Sequence, residues 1–230
     1  MKSIKGWGKK CLVKTLEEEI HLVLASASPR RLALLAQIGI DPQQVCASSI
    51  DETPKLKEHP ANLAKRLAKE KALKAQKTLH WYKQNNQEKL AAQKMIILAA
   101  DTVVAVGRTI LPKPEGEDEA YECLQFLSGR AHQVYGAICA LNEQGKITVK
   151  LVESRVRFRR LSPPIMKAYL ASREWIGKAG GYAIQGKAGA FVVYITGSYS
   201  NVVGLPLAET VDLLTAYQYP LFSYWVEETY

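Results

Sequence analysis

Apolar positions along the chain switch repeatedly between strand-like runs and helical spacing. Leu22 to Ala25 form a short apolar run the size of a buried strand, after which Leu32, Leu34, Leu35 and Ile38 recur at helical intervals. Val45-Cys46-Ala47 suggests a second strand. A long helix is predicted from about Pro60. Leu63, Leu67, Ala68, Ala72, Leu73 and Ala75 form its apolar stripe, with Arg66, Lys69, Lys71 and Lys74 on other faces. The polar stretch from His80 to Gln93 either prolongs this helix or loops out. Met95 to Val106 reads as a central strand interrupted once, by Asp101-Thr102. A helix from Glu115 to Phe126 carries Glu117, Asp118 and Glu119 in its first turn, where the helix dipole favours acids. Ala131–Leu141 and Ile147–Phe158 form a hairpin about Asn142–Gly145. Ser162-Pro163-Pro164 opens another helix, and Phe191 to Thr196 is a strand. A tight turn from Gly197 then leads into a last helix over Leu207–Tyr217, and Tyr219 begins an aromatic tail.

With 230 residues the chain makes one domain, or one domain with two lobes, large enough for a sizeable core. Its pattern divides it into an extension over 1–20, a body over 21–218 and a tail over 219–230. The formal charge of +9 implies attraction to polyanions without choosing among nucleotides, nucleic acid and membrane surfaces. No apolar run approaches the ~18 residues of a membrane span. The extension has five lysines but no apolar core of a signal peptide, and Glu17, Glu18 and Glu19 argue against a transit peptide. Cys11, Cys46, Cys123 and Cys139 are scattered, with no histidines at ligand spacing, which points to reduced thiols and a cytoplasmic setting. His59 and His80 read as surface histidines, and His132 as a structural one.

Three stretches carry chemistry. In Ser26-Ala-Ser-Pro-Arg-Arg31, Ser28 is placed as a helix N-cap and Pro29 suits the first helical position. Two arginines then stand where the dipole prefers acids. That makes sense if an anion normally sits among the exposed amides, hydroxyls and guanidinium groups. In the central strand, Asp101 either marks a bend or is held by a cation, a donor cluster or a metal, because burying it unpaired is costly. Shortly after it, Lys113 is pinned between Pro112 and Pro114, so its ammonium is held in one place. The third stretch, Glu174 to Ala190, has five glycines that allow close backbone approach. It offers Lys178 and Gln185 as polar groups but fits neither a P-loop nor a Rossmann fingerprint. The loop Asp51-Glu52-Thr53-Pro54 adds two adjacent carboxylates, and Arg66–Glu70 is an i,i+4 pair. The arginines from Arg155 to Arg160 make one strand face basic. Without interleaved aromatic residues that face reads as a solvated edge, and nucleic acid is not expected as a partner.

In chain order, these stretches resemble the Maf family of nucleoside triphosphate pyrophosphatases over roughly Leu22 to Ala216. The landmarks are Leu24-Ala-Ser-Ala-Ser-Pro-Arg-Arg31, Asp51-Glu-Thr53, Arg66-Leu-Ala-Lys-Glu-Lys-Ala72 and Ala100-Asp-Thr-Val-Val104. Lys113-Pro114, Leu127-Ser-Gly-Arg130, Lys178-Ala-Gly-Gly-Tyr-Ala-Ile-Gln-Gly186 and Ser200-Asn-Val-Val-Gly-Leu-Pro-Leu207 follow. The resemblance implies an α/β fold of the Maf/ITPase-like type, a mixed twisted sheet with flanking helices and two lobes around a central cleft, often as a homodimer. It implies hydrolysis of a nucleoside triphosphate to monophosphate and pyrophosphate with a divalent metal, Mg²⁺ or Mn²⁺. On this resemblance Asp101 is the catalytic proton acceptor, Glu52 and Lys113 are further active-site positions, and Ser26 and Arg31 belong to the phosphate loop. Arg30, Thr102 and Gln185 have the residue types of the dTTP/UTP-cleaving branch. Gly136, Pro112 and Ala183 depart from the usual pattern, which bears on the base pocket.

Physical chemistry supports that expectation. A triphosphate carries about four negative charges near neutrality, and departing pyrophosphate needs metal and cationic clamps. Arg31, Lys113 and Lys178 are candidate clamps; Glu52 and Asp101 are candidate ligands for a hard cation. The rival readings are a non-catalytic nucleotide-binding regulator of cell division and a nucleic-acid-binding protein.

Overall fold

The computed structural model describes residues 20–85 and 94–227. The strands are β1 (His21–Leu24), β2 (Gln44–Val45), β3 (Met95–Val106), β4 (Thr109–Leu111), β5 (Ala131–Asn142), β6 (Ile147–Phe158) and β7 (Val192–Thr196). The helices are α1 (Pro29–Gln37), α2 (Pro60–Asn85), α3 (Glu117–Leu127), α4 (Pro163–Ala171), α5 (Tyr199–Val203), α6 (Leu207–Ala216) and α7 (Leu221–Glu227). One seven-stranded sheet runs β2-β1-β3-β5-β6-β7, with β4 also on β3. It is parallel across β2, β1 and β3 and antiparallel from there on. This is the mixed α/β architecture expected.

β3 organises the fold. It is not interrupted at Asp101-Thr102: the β5 ladder continues through Asp101↔Ala137 and Thr102↔Gly136. Its opposite edge is different. There β1 covers Met95–Leu98 and β4 covers Val104–Val106, so among the described residues 99–103 have no strand partner on that side. The sheet is open where its two polar residues sit. β4 and α5 were absent from the sequence expectation because three and five residues are too few to show a period.

Strand alternation sorts the core into two layers. Val23, Ile97, Ala99, Val103, Ala137 and Cys139 pack against Leu63, Ala64, Leu67, Ala68, Ala72 and Ala75 of α2. Leu24, Leu98, Ala100, Val104, Ile138 and Phe158 pack on the other face beneath the remaining helices. Leu221, at the start of α7, is fully buried, so the chain after Tyr219 adds to this second layer. In β6, Val156 and Phe158 are buried while Arg155 and Arg157, and Arg159 just beyond the strand, are exposed, as the alternation required. Cys46, Cys123 and Cys139 are free thiols, and no described helix is long and apolar enough to cross a membrane.

Gly136 lies beneath α5. The Asn201 side chain is fully buried there, its Nδ2 donating to the carbonyls of Val134 and Val152 and to Ser154 Oγ. A Cβ on residue 136 would stand 1.8 Å from Asn201 Oδ1. The departure at Gly136 therefore makes room for Asn201 and does not line either cavity described below. Gly136→Ala should destabilise the fold by about 1–3 kcal/mol, the usual cost of overpacking, as read from denaturant midpoints.

His132 is also fully buried, its Nε2 2.8 Å from the Tyr182 hydroxyl and its Nδ1 without a partner among the described residues. Burial pushes its pKa from 6.5 down to about 4, so the folded state keeps it neutral while the unfolded chain takes up a proton. Stability is therefore lost as pH falls from about 6.5 toward 4. Denaturant unfolding at pH 5 should show a loss of roughly 2 kcal/mol from this group relative to pH 7, and His132→Gln should reduce that loss.

Candidate active site

At the end of β1 the chain crosses the open stretch of β3 before entering α1. Ser28 is the N-cap residue and Pro29 opens the helix, as expected, although the Ser28 side chain makes no capping bond. The buried Ser26 hydroxyl accepts from Arg31 Nη1 at 2.9 Å and from the Ser28 amide at 3.2 Å. Arg31 itself is only 9% exposed. Its Nε donates to the Gly204 carbonyl at 2.8 Å and its Nη2 reaches Thr102 Oγ1 at 3.4 Å. Gly204 ends α5 with φ 140, a conformation that suits glycine. Among the described residues, every hydrogen-bond acceptor of Arg31 is thus a neutral oxygen. Burial lowers its pKa, which Asp101 and Glu52 partly restore from a distance.

Alternation along β3 sends neighbouring side chains to opposite layers. Thr102 meets Arg31 on the α1 side, and Asp101 points to α2, where Lys71 Nζ donates to its Oδ1. Lys71 also reaches Glu52 Oε1 at 2.6 Å, and Lys113 Nζ donates to Glu52 Oε2. Burial pushes the Glu52 carboxyl up, but the hydrogen bonds and charges of Lys113 and Lys71 outweigh it and hold the group down at about 2. Four charged side chains thereby form one cluster, ordered Asp101, Lys71, Glu52, Lys113.

The sequence expectation places Lys71 on another face of α2, away from the apolar stripe. The structure buries it, because it follows Leu63 and Leu67 at intervals of four along the apolar stripe. That position is the signal: a lysine on the core-facing side of a helix needs a carboxylate partner. The two acids of the Asp51-Glu52 loop also separate. Asp51 is exposed and caps its own turn, accepting from the Thr53 amide at 2.9 Å, whereas Glu52 turns inward. Arg66 is more than one half of an i,i+4 pair. It grips both oxygens of Glu58 at 2.8 and 2.9 Å, touches Glu70 at 3.1 Å and donates to the Thr53 carbonyl at 3.0 Å. The loop carrying Glu52 is thereby fastened to α2.

A cavity of about 540 Å³ opens over this cluster, its lining including Glu52, Asp101, Thr102, Lys113 and Glu115. A smaller cleft of about 40 Å³ shares Thr102, Lys113 and Ala179 with it and adds Arg30, Lys178 and Tyr182. Burial lowers the Arg30 and Lys178 pKa values, and the neighbouring cations Arg31 and Arg30, respectively, lower them further. The Pro112–Pro114 loop is set by the Gly180 amide, which donates to the Pro112 carbonyl at 2.9 Å. The structure therefore brings Ser26, Arg30, Arg31, Glu52, Asp101, Thr102 and Lys113 to one region. Gln185 does not join them, being exposed and lining neither cavity. The glycine-rich stretch folds into 3₁₀ turns at Ala179–Gly181 and Lys187–Phe191, and Gln185 falls between them.

An α/β sheet opened at one polar point, with cations gathered beside a cavity that Glu52 and Asp101 line, defines a protein equipped to bind polyphosphate. The chain belongs to the Maf-like protein family, which it matches over residues 21–217. A Bartonella henselae protein named dTTP/UTP pyrophosphatase is 78% identical over 222 residues, covering 96% of each chain. One of the same name from Bartonella quintana is 79% identical over 216 residues, 94% of this chain and 95% of that one. A third, from Brucella abortus, is 55% identical over 204 residues, 89% of this chain and 95% of that one. A solved nucleoside-triphosphatase, titled a dITP/XTP pyrophosphatase, from Mycobacterium abscessus aligns with TM-score 0.33 and 16% identity over 61% of this chain and 74% of that chain, too slight an overlap to bear on the fold.

Removing the Arg66 fastening should free the loop without unfolding the chain. Arg66→Met is expected to speed amide exchange across residues 51–54 by about tenfold or more, with global stability falling by about 1–2 kcal/mol. Exchange measured by mass spectrometry, alongside a denaturant melt, separates the two effects.

Proposed function

We propose that this chain hydrolyses dTTP and UTP to the nucleoside monophosphate and pyrophosphate. The observation that carries the reading is the convergence of Glu52, Asp101, Lys71 and Lys113 beside one cavity, with Arg31 hydrogen-bonded to Thr102 of its lining and, among the described residues, to neutral oxygens alone. The names of the relatives at 55–79% identity supply the substrates. A cytosolic enzyme acting as a homodimer is part of the same proposal.

The residues divide the work by charge. Lys113, Arg31 and Arg30 stand where phosphate oxygens would gather, and their positive charge favours the growing negative charge of departing pyrophosphate. Asp101 is the proton acceptor. A water oxygen bonds to the α-phosphorus, the bond from that phosphorus to the bridging oxygen breaks, and pyrophosphate leaves with the electron pair. Asp101 takes the water proton on its carboxylate while Lys71 keeps the group oriented. Glu52 holds Lys71 and Lys113 in register.

Among the described residues no three His, Cys, Asp or Glu side chains converge into a metal cage. Two carboxylates beside a cavity are still a fitting set for Mg²⁺ or Mn²⁺, which commonly use one or two carboxylates together with substrate phosphates. Glu52 and Asp101 would hold such a cation, which when bound would neutralise charge on the phosphate oxygens.

Pyrophosphate release from dTTP and UTP with Mg²⁺ or Mn²⁺ tests the reading, and nucleotide binding without release would favour the regulator instead. Asp101→Asn should lower turnover by ~10² to 10⁴ while the variant still melts cooperatively. Unchanged turnover would remove Asp101 from the reaction.

A further inference from the structure

Both carboxylate oxygens of Glu52 are already engaged, Oε1 by Lys71 and Oε2 by Lys113. The two lysines are not equivalent. The Lys71 side chain is 8% exposed and lies on a packed helix, whereas the Lys113 side chain is 42% exposed and faces both cavities. The Lys113 backbone is fixed by flanking prolines and by the Gly180 bond to Pro112, so any adjustment falls to its side chain. Before substrate arrives, the two acids and two lysines compensate each other, and Arg31 together with Arg30 and Lys178 of the adjoining cleft outnumbers the one further acid on the cavity wall, Glu115. A divalent cation approaching Glu52 from the cavity must displace the Lys113 ammonium and then remain beside it. An incoming triphosphate changes that balance, because its oxygens offer Lys113 another anionic partner.

We propose that Lys113 is a place-holder for the divalent cation, keeping Glu52 closed to metal until nucleotide phosphates draw the ammonium away. Metal and nucleotide then assist each other's binding, and the coupling is reciprocal. The inference rests on the hydrolase reading for the identity of the anion, but its test needs neither nucleotide nor turnover.

The experiment is Mn²⁺ titration of the nucleotide-free protein, followed by electron paramagnetic resonance. Wild type should bind weakly, and Lys113→Met should bind about tenfold or more tightly, within the range of measured couplings. Lys113→Arg, which retains the charge, should stay weak, and adding Glu52→Gln to Lys113→Met should abolish the gain. Lys113→Gln provides a second neutral variant if the methionine protein fails to melt cooperatively. Mn²⁺ binding by both neutral variants no tighter than wild type would overturn the proposal, as would a gain that survives loss of the Glu52 carboxylate. Tightened Mn²⁺ binding in a chain that releases no pyrophosphate would support the place-holder and overturn the hydrolase reading instead.

Discussion

The Lys71 ammonium, held between Glu52 and Asp101, is the contact on which both the core and the site depend. Asp101 is 3% exposed in the central strand, and a carboxylate buried there alone would cost several kcal/mol. Lys71 supplies the compensating charge only while α2 keeps its register on the sheet. Small residues let the helix lie close: Ala64, Ala68, Ala72 and Ala75 are all fully buried against β3 and β5. Packing of α2 and pairing of the acids are thus one requirement, since slipping the helix by a residue would leave both charges without partners.

The open edge of β3 gives that pairing its use. Here β1 ends with Leu24 opposite Leu98 and antiparallel β4 ends with Leu111 opposite Val104, leaving the stretch that contains Asp101 and Thr102 uncovered between them. The two-residue period then assigns Asp101 to Lys71 of α2 and Thr102 to Arg31 of α1, so one dipeptide joins helices from opposite faces. Few strand positions could serve both layers.

Charge is distributed unevenly between structure and site. Arg66 places its positive charge against Glu58 and Glu70 and fastens a loop, whereas Arg31, among the described residues, is bonded only to neutral oxygens although nearly as buried as the core. A guanidinium desolvated without an adjacent carboxylate is stabilised further when an anion arrives. The same holds for Arg30 and Lys178, whose shared cleft lowers the proton affinity of both.

The strands and helices of eight residues or more were legible in the sequence because each repeats its apolar period several times, as in β3, β5, β6 and α2. The polar landmarks were legible too, since arginines at a helix start, an acid inside an apolar strand and a lysine between prolines each break a local rule. The partners of Lys71 were not, because its place on the apolar stripe marks it as core-facing without saying which carboxylates lie opposite. Nor was the exposure of Gln185, which depends on how a glycine-rich segment turns. Residue order alone therefore determined the secondary elements and the chemical types available to the site. Which cations stand alone and which are compensated was decided by tertiary contacts, because an electrostatic partner is set by distance through space and not by separation along the chain.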